Sequence, residues 1–201
     1  MNKLKINIVL ASKSPRRIEI LLNLGIHPEV IPADIDEDIG EFRGDPERAV
    51  KVLAERKARA VYSVIGKREN TVIMAADTLV YKDKRLLGKP SGEKEAREIL
   101  KFLSDSTHSV YTGVAIEYNG KFFVDCAESK VHFKKLDRRE IDWYIATGEP
   151  FDKAGGYGIQ GKGAVLADSI EGDYFNVVGL PVSRIFTVMK NEFGLGFEMF
   201  M

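Results

Sequence analysis

Thr71-Val72-Ile73-Met74-Ala75-Ala76-Asp77-Thr78 is the stretch that decides the fold. Six residues without a charge read as a strand buried on both faces, the kind found where helices cover a sheet from each side. The run ends at Asp77-Thr78. Upstream, Asp45-Pro46 opens a helix with a capping aspartate and an N1 proline, and Gly66 closes it. Further upstream, the apolar run Ile6 to Ala11 gives a strand that stops at Ser12-Lys13-Ser14-Pro15. There Ser14 and Pro15 repeat the cap-and-proline device before a helix through Ile18, Leu21 and Leu22 that ends at Gly25. A short strand near Val30 to Ile31 and an acidic loop, Asp34 to Glu41, complete that half.

Downstream, a hairpin with Asp83-Lys84 at its tip leads to Gly88-Lys89-Pro90, and a helix covers Glu93 to Leu103. The alternating runs Ser109 to Tyr118 and Lys121 to Cys126 meet at Asn119-Gly120, a type I′ hairpin signature. Asp137 to Glu140 forms a capping box before a helix with Ile141, Tyr144 and Ile145 inward. A glycine-rich loop, Gly155 to Gly163, follows, and a last helix begins near Pro181. The sum is an α/β fold: a mixed sheet with flanking helices, in two lobes around a cleft. The 201 residues are read as one domain, with the terminal Gly194 to Met201 as a surface tail.

Composition narrows the function. Lys+Arg and Asp+Glu both number 30, so no basic surplus exists to track a nucleic-acid polymer. Any anion site is a local cluster on a neutral body. One cysteine, Cys126, excludes an internal disulfide and a thiolate zinc cluster, and its strand-like flanks make it a core filler. No segment has the apolar length of a membrane span, and Met1 to Leu10 passes into a strand rather than a signal sequence. A soluble, cytoplasmic protein is expected.

Five places carry candidate chemistry. Ser12 to Arg17 joins a strand end to a helix N-terminus, offering free N–H groups, hydroxyls and two guanidiniums to an anion. By itself it is also a capped helix with exposed arginines. Lys57 falls on the apolar stripe Val50, Leu53, Ala54, Val61 and Val64, so it either snorkels past the core edge or serves a site. Asp77-Thr78, placed at a strand's carboxyl end, could bind a cation, accept a proton, or merely cap a turn. Lys89 is restrained by Pro90 in a way that suits a phosphate contact. Gly148 to Gly161 combines glycines with Asp152, Lys153 and Gln160, and favours function over a plain turn. His27, His108 and His132 lack metal spacing, and no serine elbow is present.

Taken in order, these motifs resemble the Maf family. The match comprises Leu10-Ala11-Ser12 with Ser14-Pro15-Arg16-Arg17, Ala76-Asp77-Thr78, Gly88-Lys89-Pro90, His108 with Thr112-Gly113-Val114, Gly148 to Gly161, and Gly172 to Pro181. The resemblance implies a fold similar to inosine-triphosphate pyrophosphatases and cleavage between the α- and β-phosphates of a nucleoside triphosphate. It also implies a divalent cation, Mg²⁺ or Mn²⁺, a cytoplasmic location and a homodimer. By motif position, Asp77 is the catalytic carboxylate. Ser12, Arg16, Arg17, Lys57 and Lys89 match triphosphate-binding positions, while Arg16, Thr78 and Gln160 match positions tied to the base. Glu37 stands where the family carries an acidic residue near the cleft and is assigned to the metal with Asp77. The Gly-Tyr-Gly-Ile-Gln-Gly form of the late motif resembles the branch acting on dTTP and UTP. Lys13 and Asp105 depart from the pattern without touching the catalytic set. Two other readings stand beside this one: a nucleotide-binding regulator of septum formation without turnover, and the same reaction on 7-methyl-GTP or other modified nucleotides.

Overall fold

A computed structural model describes residues 5–200. Seven strands form one mixed sheet: β1 (Asn7–Leu10), β2 (Glu29–Val30), β3 (Thr71–Lys82), β4 (Arg85–Leu87), β5 (Thr107–Tyr118), β6 (Lys121–Phe133) and β7 (Ala167–Glu171). Their spatial order is β2-β1-β3-β5-β6-β7, with β4 also paired to β3. β1 runs parallel to β2 and β3; every other pairing is antiparallel. The helices are α1 (Pro15–Asn23), α2 (Pro46–Ile65), α3 (Glu93–Leu103), α4 (Arg138–Ala146), α5 (Tyr174–Val178) and α6 (Val182–Phe193). Among the described residues no helix is long and apolar enough to cross a membrane.

Local signals account for most boundaries. The Asp45 side chain accepts from Arg48 N at 3.0 Å at the start of α2, and Gly66 ends that helix at φ 64°. Asp137 and Glu140 make both bonds of the capping box before α4. Asn119 and Gly120 both have positive φ (55° and 87°), as a type I′ turn requires. Asp83 and Lys84 do the same at the β3–β4 tip. Asp105 takes φ 54° where the Maf pattern has a glycine.

Three expectations are corrected. β3 does not stop before Asp77: it pairs with β5 from Val72↔Tyr118 to Tyr81↔Ser109, so Asp77 and Thr78 lie mid-strand. Val64 is 78% exposed, and its neighbour Ile65 packs against the α2 core cluster instead. The terminal segment is no surface tail. Leu195 and Phe200 are buried in the core with Ile6 and Ile8, and Ile6 N donates to Met199 O at 2.7 Å. Met201, like residues 1–4, lies outside the described residues.

β3 holds the two lobes together. Following the two-residue period of a strand, Val72, Met74 and Ala76 join Ile20, Leu21, Ile185 and Met189 of α1 and α6 on one face. Ile73 and Ala75 join Ala54, Ala58 and Val61 of α2 on the other. Past Thr78 the strand enters a second core, where Val80 meets Leu100 and Leu103 of α3 and Ile141 and Tyr144 of α4. One edge of β3 carries β5 throughout. The other carries β1 only along Thr71 to Met74 and β4 only along Val80 to Lys82. Residues 75–79 therefore have no strand on that edge. This gap between the lobes is where Asp77 and Thr78 emerge, on opposite faces.

Candidate active site

The gap opens into a cleft of about 720 Å³. All nine residues singled out in the sequence line it: Ser12, Arg16, Arg17, Glu37, Lys57, Asp77, Thr78, Lys89 and Gln160. They come from six separated segments, which only the fold brings together.

Asp77 sits on the α2 face of β3, and α2 answers with Lys57. Its Nζ is 2.5 Å from Asp77 Oδ1 and 2.7 Å from Glu37 Oε1. The Lys57 and Asp77 side chains are only 11% and 12% exposed, so loss of Lys57 strands the Asp77 charge, at about 3–5 kcal/mol, whereas loss of Asp77 leaves Lys57 paired with Glu37. Lysine on the apolar stripe is thus a paired site residue and not a snorkelling one. Hydrogen bonding to Lys57 lowers the Glu37 carboxyl below its ordinary value against the opposing effect of burial, with help from Lys89 and Arg17. Arg56, the preceding residue of α2, clamps the acidic loop from its main chain, donating to Asp38 O at 2.8 Å and Asp36 O at 3.5 Å. Consecutive helix residues therefore grip the backbone and the carboxylate of the Glu37 loop.

The start of α1 faces the same opening. Ser14 has extended backbone but its side chain caps nothing, Pro15 occupies the first turn, and that turn has no acidic residue. The positive end of the helix dipole is thus left for an anion. Ser12 is 8% exposed, and its Oγ accepts from Arg17 Nη1 at 3.1 Å and from Ser14 N at 3.2 Å. With both lone pairs taken, its own proton is what remains for a ligand.

Arg17 is buried, and its bonds close the gap in the sheet. Nε donates to Gly179 O at 2.7 Å, Nη1 to Ala76 O at 2.8 Å as well as Ser12, and Nη2 to Thr78 Oγ1 at 3.1 Å. The Ala76 carbonyl, left without a strand partner, is satisfied this way. Burial lowers the guanidinium's pKa while Asp77 raises it. Arg16 is more accessible, and its Nη1 reaches across the cleft to Asp152 Oδ2 at 3.3 Å.

Lys89 is exposed between two fixed neighbours: Gly88 O accepts from Gly155 N at 3.0 Å, and Pro90 is buried. Gln160 is half-buried and has no hydrogen-bond partner among the described residues, which leaves both ends of its amide for a ligand. The loop around it is pinned by groups to which the sequence reading gave no site role. Glu149 accepts from Lys162 N (3.1 Å) and Gly163 N (3.3 Å), Tyr144 Oη from Gly158 N (3.0 Å), and Tyr157 Oη lies 2.7 Å from His108 Nε2. A side chain at position 163 would lie 2.2 Å from Gly158 O, so only glycine lets this loop fold on itself. Cys126, half-buried on β6, has a thiol pushed up to about 12 by burial and is not a nucleophile.

Among the described residues no three His, Cys, Asp or Glu side chains converge as metal ligands. Glu37 and Asp77, however, converge on one ammonium. Two hard oxygen donors sharing a cation fit Mg²⁺ or Mn²⁺, which take one or two carboxylates and complete their shell with phosphates and water.

Fold and cleft together define an α/β protein that gathers cations, a helix N-terminus and a carboxylate pair at one opening in its sheet. The chain belongs to the Maf family: residues 7–192 match the family described as Maf-like protein. A protein of Thermosipho africanus named dTTP/UTP pyrophosphatase is 47% identical over 182 residues, covering 90% of this chain and 91% of that one. A Bacillus cereus protein of the same name is 46% identical over 183 residues, covering 91% and 94%. A solved structure, that of the Staphylococcus aureus Ham1 protein, is 14% identical and covers 78% of this chain and 77% of its own, with a TM-score of 0.42.

Proposed function

We propose that this protein hydrolyses nucleoside triphosphates, dTTP and UTP foremost, to the monophosphate and pyrophosphate. The observation that carries the reading is the Asp77–Lys57–Glu37 cluster in the same cleft as Ser12, Arg16 and Lys89. The relatives' names supply the pyrimidine triphosphates.

In this reading Ser12, the α1 N-terminus, Arg16 and Lys89 hold the phosphate oxygens, and Lys57 neutralises charge beside them. Glu37 and Asp77 would hold the divalent cation, which supplies further charge neutralisation at the bond being cleaved. Lys57 fixes Asp77 Oδ1, leaving Oδ2 to take the proton of the attacking water. The water oxygen bonds to phosphorus as the Pα–O–Pβ bridge breaks, and pyrophosphate departs with the bridging electrons. Arg17, with four of its donors spent on the protein, organises this arrangement more than it binds phosphate. The enzyme acts in the cytoplasm on free nucleotides as a single-domain protein that forms a homodimer.

The test is a turnover assay with Mg²⁺ or Mn²⁺ on dTTP, UTP, CTP, ITP, 7-methyl-GTP and the common triphosphates, scoring pyrophosphate and phosphate separately. Pyrophosphate from dTTP and UTP is expected. Pyrophosphate only from another base would keep the reaction and discard the substrate. Binding with no product from any nucleotide would replace the enzyme by a nucleotide-sensing regulator.

A further inference from the structure

Two hydroxyls of the cleft are held in opposite hydrogen-bonding states. Ser12 Oγ has both lone pairs filled by N–H donors and so can only donate. Thr78 is the reverse. Thr78 and Thr112 are directly opposed across β3 and β5, with their hydroxyl oxygens 3.0 Å apart. Thr112 Oγ1 lies 2.9 Å from the main-chain oxygen of Asn176, which can only accept, so the one Thr112 proton goes there. Thr112 must then accept from Thr78, and Thr78 has no proton left. One Thr78 lone pair takes Arg17 Nη2; the other is free for a ligand. Asn176 cannot turn to reverse this order. It is fully buried, and its Nδ2 donates to Val110 O at 3.0 Å and Ser129 Oγ at 2.9 Å.

We propose that Thr112 is a specificity-determining positioning residue, which acts through Thr78 by making its oxygen an obligate acceptor that selects a base bearing an imide N–H. The proposal rests on the pyrimidine-triphosphate reading above. A phosphate offers Thr78 nothing, since it too only accepts. Of the donors on dTTP and UTP, the 2′-hydroxyl is absent from dTTP and the 3′-hydroxyl is equally present on CTP. The N3–H of thymine and uracil is the donor that both share and cytosine lacks, and cytosine N3 would set acceptor against acceptor. A buried polar group left unpaired is what makes such rejection strong. Arg17 thus polarises the cleft: a donor hydroxyl at its Ser12 end for phosphate, an acceptor hydroxyl at its Thr78 end for the base.

The experiment compares kcat/KM for dTTP and dCTP in the unmodified protein, Thr112→Val and Thr112→Ser, with Tm as the folding control. Alongside it, calorimetry on Asp77→Asn protein measures Kd for dTTP and for N3-methyl-dTTP, which lacks the imide proton. In Thr112→Val the Thr78 proton is released, and the dTTP:dCTP preference is expected to fall about tenfold, with Thr112→Ser restoring it. N3-methyl-dTTP is expected to bind at least about tenfold more weakly than dTTP. An unchanged preference in folded Thr112→Val, or equal binding of the methylated analogue, would overturn the proposal. If Thr112→Val does not fold, the methylated analogue decides alone. Protein that binds dTTP without cleaving it would sink the proposed reaction and leave this binding comparison intact.

Discussion

Replacing Gly113 by alanine is expected to cost both stability and turnover, although position 113 bears no functional group. Gly113 pairs with Asp77 across β3 and β5, and α2 lies directly over it. A Cβ there would be 2.2 Å from Val50 O, 2.3 Å from Val50 C and 2.8 Å from Lys51 N, all main-chain atoms that no rotamer change can move. Restoring an ordinary contact of roughly 3.5 Å needs α2 to retreat by more than about 1 Å. Ala54 and Ala58 seat α2 on the sheet without long side chains that could take up the slack. Overpacking of this kind costs about 1–3 kcal/mol, and the backbone partners put Gly113→Ala at the upper end. For a domain of this length about 3 kcal/mol lowers Tm by roughly 6–12 °C. Lys57 rides on the same helix two turns further on, so its bond to Asp77 shifts with it. Misplacement of a catalytic group by about 1 Å costs on the order of 10² in kcat. Thermal unfolding by circular dichroism and a pyrophosphate-release assay read the two effects. An alanine variant with unchanged Tm and kcat would refute the close approach of α2 and the role given to its position.

Asp77→Asn should fold, since Lys57 keeps Glu37, yet lose at least about 10³ in turnover; a folded variant with residual activity near the starting level would remove Asp77 as proton acceptor. Chelation by EDTA should abolish pyrophosphate release and added Mg²⁺ or Mn²⁺ restore it, and chelator-resistant turnover would discard the Glu37–Asp77 cation site. His108 is buried and its pKa lowered from 6.5 to about 4 by burial, with Lys82 and His132 adding to the effect. Its neutral form is favoured by folding, so its contribution is complete above pH 6.5, declines as pH falls from 6.5 towards 4, and changes no further below that. Urea unfolding should therefore show a pH slope in this window of up to about 1.4 kcal/mol per unit that flattens in His108→Gln; parallel profiles would refute the assignment.

The elements legible in the sequence were those fixed by local chemistry. Asp45-Pro46, the Asp137–Glu140 box and Asn119-Gly120 act within a few residues of themselves, and each was found where its pattern put it. What escaped depended on partners far along the chain. Asp77-Thr78 resembles the polar end of a strand, but β5 supplies a pairing edge as far as Tyr81, so the backbone continues extended. Gly194 to Phe200 is too short to establish a period, yet Leu195 and Phe200 fill the core beside β1. The proposed site was legible in its candidate members, all of which line the cleft. It was not legible in its connections: the carbonyl that takes the Thr112 proton belongs to a residue 64 positions away.

The interrupted edge of β3 explains why the cleft, and with it the proposed chemistry, sits at this point of the sheet. A strand paired on both sides offers only side chains, alternately to two buried faces. Where β1 has ended and β4 has not begun, residues 75–79 keep one edge open, and a cleft can reach both faces at once. Asp77 then meets α2 with its lysine on one side, while Thr78 meets Arg17 on the other. An open edge inside a protein would ordinarily be a defect, with main-chain groups removed from water and left unpaired. Arg17 meets that cost by donating to the Ala76 carbonyl, and the same guanidinium orders Ser12 and Thr78. The repair of the fold and the ordering of the site are thus one set of hydrogen bonds. That is why Arg17→Lys, with three donors on a point charge in place of a planar fork, should damage stability and turnover together rather than raise KM alone.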